Sequence, residues 1–220
     1  MKLRHDDFEA QIFDQLGRIS RALASPRRLE IVDLLAQSEH TVEELARGTG
    51  MSVANTSRHL QALRHARLVT VRRAGVFAHY ALADPGVFRV WQAVRDLGAS
   101  QLAEVRMLVA RRETGDDAPL ALDALRDRIA RGDLVLLDAR PEREYRAGHI
   151  PGALNIPVDE LAERLHVLPI EHEVVVYCRG PYCAFSDEAV VILRAHGHAA
   201  RRAAAGLPDW RAAGLAVETG

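Results

Sequence analysis

The stretch at residues 174–186 reads V-V-V-Y-C-R-G-P-Y-C-A-F-S and joins a strand pattern to a helix pattern. Three valines and Tyr177 make a short apolar run, which is typical of a buried parallel strand. A turn-prone Arg-Gly-Pro follows Cys178, and a helix-competent segment begins near Cys183. Together with the other short strands and helices that alternate after about residue 119, this stretch predicts an α/β domain with a parallel sheet.

This loop contains both cysteines of the chain, Cys178 and Cys183. Backbone N–H groups and the positive end of a helix dipole stabilise a thiolate that lies between a strand end and a helix start. We therefore expect Cys178 to react near neutral pH. Two cysteines are too few for a secreted disulfide scaffold, so a reducing cytoplasm is the expected setting.

Size and charge favour two domains with different partners. A chain of 220 residues with 48% hydrophobic residues suffices for two packed cores. The first residues, M-K-L-R-H-D-D, do not form a signal peptide, and no apolar run has the length of a membrane span, so a soluble protein without membrane contact is expected. Residues 1–112 carry 17 Lys/Arg and 12 Asp/Glu, whereas residues 113–220 carry 12 and 18. Only the basic half is expected to meet a polyanion.

A polar segment, E-T-G-D-D-A-P at residues 113–119, separates the two patterns. We therefore place a mainly α domain at residues 1–112, a linker at residues 113–118 and an α/β domain at residues 119–220.

The first half predicts a helix-turn-helix followed by a β-hairpin. Thr41 and Glu44 form a capping box, the short helix ends at Gly48-Thr-Gly50, and Ser52 caps a second helix that runs to about His65. Residues 68–73 and 76–82 then predict a hairpin. The second helix has an apolar side and a polar side. The apolar side is formed by Val53, Thr56, Leu60 and Leu63.

The core of this region, residues 43–69, reads E-E-L-A-R-G-T-G-M-S-V-A-N-T-S-R-H-L-Q-A-L-R-H-A-R-L-V and resembles the ArsR-type winged helix-turn-helix repressors. The resemblance covers about residues 15–110. It implies that residues 53–65 enter the DNA major groove and that the hairpin contacts the backbone or the minor groove. Arg67 stands where the family usually has a helix-ending glycine, so we expect a less regular helix end or an added phosphate contact.

The candidate DNA contacts follow from this resemblance and from side-chain chemistry. Arg58 and Gln61 can read base edges, while Ser57, Arg72 and Arg73 suit phosphates. The predicted set is Ser52, Ala54, Asn55, Ser57, Arg58, Gln61, Arg72 and Arg73.

A long helix is predicted at residues 85–112, with an apolar stripe of nearly heptad spacing. The stripe can form core within one chain, but its length and the ArsR resemblance favour a homodimer interface. A two-fold dimer implies an operator that is an imperfect palindrome. The predicted interface residues are Val87, Trp91, Val94, Leu97, Val105 and Leu108.

No metal site and no cofactor are expected. The first half has no cysteine. Its histidines lack ligand spacing. They are His5, His40, His59, His65 and His79.

The second half resembles the rhodanese domain over residues 118–219. The matching segments are D-A-R-P-E-R-E-Y-R-A-G-H-I-P-G-A-L-N-I-P at residues 138–157, the loop that opens at Cys178, and G-L-P-D-W-R-A-A-G-L-A-V at residues 206–217. The resemblance implies a sulfurtransferase-type fold in which the loop cysteine carries a persulfide.

The loop departs from the rhodanese pattern C-x-x-x-x-R, because Cys183 replaces the closing arginine. Arg179 is the charged residue left within the loop. The loss of the closing arginine weakens the expectation of thiosulfate binding but does not exclude it. Phosphatase-like relatives need an arginine one position later, where this chain has Ala184. Asp138 and Arg140 match the motif near the strand ends. The candidate catalytic residues are Cys178, Cys183, Arg179, Asp138 and Arg140.

Cys183 can resolve a persulfide on Cys178 by forming a disulfide, or it can be a small buried residue at a helix start. We therefore predict a repressor that responds to a sulfane-sulfur donor or another thiol-reactive small molecule. The alternative is a rhodanese-type sulfurtransferase tethered to a DNA-binding domain. A third reading is recognition of arsenite or another soft ion by the two thiols.

Overall fold

The computed structural model describes residues 5–111 and 118–220, with the side chains of residues 5 and 6 left out. Two compact units divide the chain between Trp91 and Gln92, inside one helix. The predicted linker at residues 113–118 lies outside the described residues except for Ala118. The predicted domain limits therefore stay a prediction.

The described part of the first half is mainly helical. A three-stranded antiparallel sheet of order β1-β3-β2 accompanies its helices. The elements are α1 (His5–Leu23), α2 (Pro26–Leu35), β1 (His40–Thr41), α3 (Val42–Thr49), α4 (Val53–His65), β2 (Val69–Ala74), β3 (Phe77–Leu82), α5 (Pro85–Gln101) and α6 (Ala103–Ala110). The prediction of a single helix at residues 85–112 is wrong, because the backbone of Leu102 is extended and separates α5 from α6.

The helix-turn-helix forms from the local signals that predicted it. Thr41 Oγ1 accepts a hydrogen bond from the Glu44 amide at 3.3 Å, and the Glu44 carboxylate accepts one from the Thr41 amide at 2.7 Å. Gly50 ends α3 in the left-handed conformation (φ 66°), which glycine adopts without strain. Ser52 Oγ then caps α4 by accepting from the Asn55 amide. Side chains with no exposed surface make the core behind α4, among them Ile31, Val32, Leu45, Leu60 and Leu63.

The end of α4 keeps a regular cap despite Arg67. The Leu68 amide donates to the Leu63 carbonyl at 2.9 Å, as in a glycine-capped helix. Arg67 itself takes the left-handed conformation, with φ 60°. The expected less regular cap is therefore wrong: the arginine adopts the glycine-type conformation, at a cost of about 1–2 kcal/mol.

The second half forms a parallel sheet of order β5-β4-β6-β7 with helices and turns around it. Strand β6 is buried along its whole length because its side chains enter two cores. Val175 and Tyr177 join one cluster, and Val174 and Val176 join the other. The elements are α7 (Leu122–Arg131), β4 (Val135–Asp138), α8 (Glu142–Ala147), β5 (Leu154–Asn155), α9 (Leu161–Arg164), a 3₁₀ turn (Leu165–Val167), β6 (Val174–Tyr177), α10 (Ala184–Ala195), β7 (Ala200–Arg202) and α11 (Leu207–Ala212).

This architecture confirms the predicted fold class. The sheet places the end of β6 and the start of α10 on either side of the cysteine loop, as the sequence pattern predicts. Within the described ranges, no helix combines the length and the apolar character needed to cross a membrane.

Candidate functional site

Helix α4 presents a polar surface away from the core. Arg58 and Gln61 are exposed, while Thr56, Leu60 and Leu63 are buried on the opposite side. Val53, predicted on the apolar side, is 46% exposed because it is the first residue of the helix and lies ahead of the turns that pack. The other predicted contacts on this helix and its cap are exposed or half-buried, namely Ser52, Ala54, Asn55 and Ser57.

The electrostatic potential near α4 is positive. Burial lowers the pKa of His59, and the charges of Arg28, Arg58 and Arg27 lower it further. A histidine whose cationic form is disfavoured by three arginines lies in a positive potential, which attracts a phosphate backbone.

The hairpin formed by β2 and β3 carries the two predicted phosphate contacts, Arg72 and Arg73, and both are exposed. Arg72 is paired with Glu39 at 2.5 Å, in a solvent-accessible ion pair. Because such a pair contributes little stability, a phosphate can compete for the guanidinium.

The predicted dimer residues lie on helices α5 and α6 and differ in exposure. Val87 is buried in the core of its own chain, and the Trp91 indole donates a hydrogen bond to Asp33 at 2.9 Å. Val87 is therefore a core residue of its own chain, and its prediction as an interface residue is wrong. Trp91 packs against the same core, so its side chain contacts its own chain in place of the predicted partner. Leu97 is 61% exposed, Val94 and Leu108 are exposed too, and Val105 is half-buried.

Sequence reasoning missed a second exposed apolar surface, on α1. The helical spacing of residues 8–24 predicts the helix, but it does not say that the apolar side of the helix stays exposed. The exposed apolar side chains of α1 are Phe8, Ile12, Phe13, Leu16 and Ile19.

The cysteine loop runs from Cys178, directly after β6, to Cys183, the N-cap of α10. The two cysteines are joined by a disulfide, with their Cα atoms 6.3 Å apart. Cys178 is 2% exposed, whereas Cys183 is half-buried. The separation meets the distance condition for the predicted pairing.

Backbone contacts hold the loop closed. The Cys183 amide donates to the Gly180 carbonyl at 3.1 Å, and Arg202 donates to the Pro181 carbonyl at 3.2 Å. Gly206 packs directly on the loop backbone, and a Cβ added at Gly206 would lie 2.5 Å from the Gly180 nitrogen. Only glycine fits there, and the loop backbone is fixed by this close approach.

Arg179, one of the predicted catalytic residues, is paired with a carboxylate. Its Nη2 lies 2.5 Å from Glu144 Oε1, and its Nε contacts the same carboxylate at 3.0–3.1 Å. The guanidinium also lies 5.1 Å from the centre of the Phe185 ring. An anionic donor at the loop would have to compete with Glu144 for this charge.

Asp138 and Arg140 form an ion pair with 0% exposure on both side chains. Arg140 also donates to the Gly148 carbonyl at 2.8 Å and lies 5.6 Å from the centre of the Tyr177 ring. Burial, together with the Asp138 charge, raises the pKa of the Tyr177 hydroxyl. The pair is buried from solvent, so we assign Asp138 and Arg140 a structural role in place of the predicted catalytic one.

Asp209 and Arg95 form a second buried pair that sequence reasoning missed. Both residues belong to the compact unit that starts at Gln92. Asp209 accepts from Arg95 Nη2 at 2.5 Å and from the Gly206 amide at 3.0 Å. The carboxylate therefore fixes the glycine that packs on the cysteine loop. A sequence separation of 114 residues explains why no local pattern indicated the pair.

Among the residues the structure describes, no group of three or more His, Cys, Asp or Glu side chains is arranged to hold a metal ion.

The fold and these two sites define a winged helix-turn-helix DNA-binding protein with a rhodanese-like domain. Residues 25–71 match the family model "Bacterial regulatory protein, arsR family", and residues 121–213 match "Rhodanese-like domain". The chain is 43% identical to the HTH-type transcriptional regulator Rv0324 of Mycobacterium tuberculosis, over 97% of this chain and 95% of that protein. The protein therefore belongs to the ArsR-type transcriptional regulators that carry a rhodanese-like domain.

Two further relatives match one half each. The homodimeric winged helix-turn-helix DNA-binding domain (fragment 1–100) from Mycobacterium bovis is 39% identical, covering 47% of this chain and 95% of that one, with a TM-score of 0.43. The human thiosulfate:glutathione sulfurtransferase is 39% identical over 72 residues, or 33% of this chain and 61% of that protein.

Proposed function

We propose that this regulator is a repressor whose affinity for its operator depends on reactive sulfur at Cys178 and Cys183. The observation that carries the proposal is the pairing of the chain's two cysteines in one loop of the rhodanese-like domain, within disulfide distance. The DNA-binding family of the first half supplies an output for a chemical change in that loop.

The DNA-binding mode rests on α4 and the hairpin. Arg58 and Gln61 are exposed on α4 and suit base edges, while Arg72 and Arg73 suit phosphates. The exposed apolar residues of α1 and of α5 supply surfaces for a two-fold dimer, and the homodimeric Mycobacterium bovis relative is consistent with one. A dimer presents two recognition helices about 34 Å apart, so its operator is an imperfect palindrome.

The sulfur chemistry balances without an added oxidant beyond the donor. A thiolate of the loop takes a sulfane sulfur from a hydropersulfide and releases the donor's thiolate, leaving a persulfide on the protein. The second thiolate attacks the protein-bound sulfur of that persulfide and expels hydrosulfide. The product is the disulfide present in the structure.

The test is a gel shift on DNA that the reduced protein selects from a random pool. We expect polysulfide to lower the operator affinity of the wild-type protein about tenfold or more, the size of a typical allosteric coupling. Dithiothreitol should restore binding. The variants Cys178→Ser and Cys183→Ser should keep their DNA affinity after polysulfide, and equal release by both variants would remove the cysteine pair as the switch.

A second candidate function is sulfurtransferase activity, favoured by the match to the human thiosulfate:glutathione sulfurtransferase. Two observations oppose it: Cys183 occupies the position of the rhodanese arginine, and Arg179 is paired with Glu144. Thiosulfate turnover by the wild-type protein, compared with Cys183→Arg and Cys178→Ser, separates the two. Turnover that depends on Cys178 in the wild-type protein supports the enzyme.

A further inference from the structure

The two cysteines of the loop disulfide differ in exposure: Cys178 is 2% exposed, whereas Cys183 is half-buried. We infer that sulfur exchange at this disulfide begins on Cys183, so that hydrosulfide leaves a persulfide on Cys183 and a thiolate on Cys178. This inference rests on the proposed function and specifies its reacting atom and its small-molecule class. It reverses the assignment implied by the rhodanese resemblance, in which Cys178 carries the sulfur.

The surroundings of the two cysteines support the order. Cys178 is 2% exposed and follows Tyr177, which has no exposed surface. Cys183 is half-buried and stands between two exposed residues, Tyr182 and Ala184. A dissolved nucleophile therefore meets the Cys183 side of the disulfide first.

The geometry of thiol–disulfide exchange adds to this difference. The nucleophile attacks one sulfur, the other sulfur leaves, and access to the attacked atom helps to set the rate. Cys178 adjoins a covered part of the loop, because Gly206 packs on the backbone of Arg179 and Gly180. Cys183 is less covered, because it is half-buried and both of its neighbours in sequence are exposed.

The step is balanced. Hydrosulfide supplies an electron pair to the Cys183 sulfur, the S–S bond breaks, and the bonding pair leaves with Cys178 as its thiolate. The new bond is between the Cys183 sulfur and the added sulfur. The resulting persulfide lies at the N-cap of α10, a helix of 12 residues whose positive end favours an anion.

The chain allows a direct test, because Arg179 lies between the two cysteines. Trypsin cleaves after Arg164, Arg179 and Arg194, so Cys178 falls in the peptide of residues 165–179 and Cys183 in that of residues 180–194. The full-length oxidised protein is treated briefly with limiting hydrosulfide, alkylated at once and analysed by mass spectrometry. We expect the added sulfur on the Cys183 peptide in about tenfold excess over the Cys178 peptide.

Glutathione serves as a second probe, since its bulk sharpens any difference in access and its mixed disulfide marks the attacked sulfur. We expect that mixed disulfide on the Cys183 peptide, with Cys178 alkylated as a plain thiol. The Cys183→Ser variant is the control and should form neither adduct from a disulfide.

The outcomes separate this inference from the proposed function. Added sulfur and glutathione mainly on Cys178, or equally on both peptides, would overturn the order of attack and leave the proposed sulfur response standing. A disulfide that reacts with neither probe would overturn this inference, whereas an operator affinity that polysulfide leaves unchanged would overturn the proposed function.

Discussion

Arginines have different surroundings on helix α4 and in the rhodanese-like domain. On α4, Arg58 is exposed to solvent and available to a phosphate or a base. In the rhodanese-like domain, Arg140 is fully buried against Asp138, and Arg179 is mostly buried against Glu144. Arg58 is thus accessible to a ligand, whereas the two arginines of the rhodanese-like domain are bound to carboxylates of their own chain.

Burial therefore decides whether a charged residue contributes mainly to stability or to binding. An exposed ion pair contributes about 0–1 kcal/mol, but removing one partner of a buried pair costs about 3–5 kcal/mol because the remaining charge is uncompensated. Substitutions in the loop domain should therefore act on stability, and substitutions on α4 should act on binding.

The largest effect is expected for Asp138→Ala, which leaves the Arg140 charge buried without its carboxylate. We predict a loss of about 3–5 kcal/mol in the free energy of unfolding of the second unit. Urea denaturation followed by circular dichroism measures it. Asp127→Ala removes a half-exposed partner of Arg126 and is the matched control, with an expected change below about 1 kcal/mol. Equal effects of the two variants would contradict the comparison.

The next effect is expected for Gly206→Ala, because the added methyl group meets the backbone of the cysteine loop. We predict a destabilisation of about 1–3 kcal/mol and faster alkylation of Cys178 in the reduced protein. The control is Gly98→Ala, since an added Cβ at Gly98 meets no atom within 4 Å. Unchanged Cys178 alkylation in Gly206→Ala would show that this contact does not cover the loop.

On the binding side, Arg58→Ala should leave the free energy of unfolding nearly unchanged and weaken operator binding by about 1–3 kcal/mol, the value of one good base contact. Fluorescence anisotropy with the selected operator measures the affinity. Arg126→Ala, which removes an exposed arginine from α7, is the control for the loss of one positive charge. If both variants bind equally well, Arg58 does not read the operator.

The smallest effect, and one of opposite sign, is expected for Arg67→Gly. Glycine adopts the left-handed conformation of this position without the steric cost that arginine bears. Glycine also gains freedom in the unfolded chain, so we predict a net stabilisation of about 0.5–1 kcal/mol. A thermal melt detects it, and a lower melting temperature would show that the Arg67 side chain stabilises the fold by other contacts.

The elements that were predicted correctly depend on neighbours in sequence. The Thr41–Glu44 capping box acts across three residues, and the buried run in β6 follows from its apolar composition. Such signals are complete within one short window of sequence, so the winged helix-turn-helix and the parallel sheet could be predicted.

The elements that were missed depend on contacts between distant residues or on local backbone geometry. Val87 joins the core of its own chain, and the helix that contains it stops before Leu102. The Arg179–Glu144 pair joins residues 35 apart in sequence. Periodicity gives the face of a helix, but it does not say whether that face meets its own chain or a partner.

The sequence by itself determined the two families, the strand–loop–helix around Cys178 and the presence of two thiols in one loop, since each depends on residue type and short spacing. Only the tertiary structure decided which of the two cysteines is the more exposed and which arginines are bound to carboxylates. Exposure and ion pairing are properties of how distant segments pack, and packing follows from the whole chain at once.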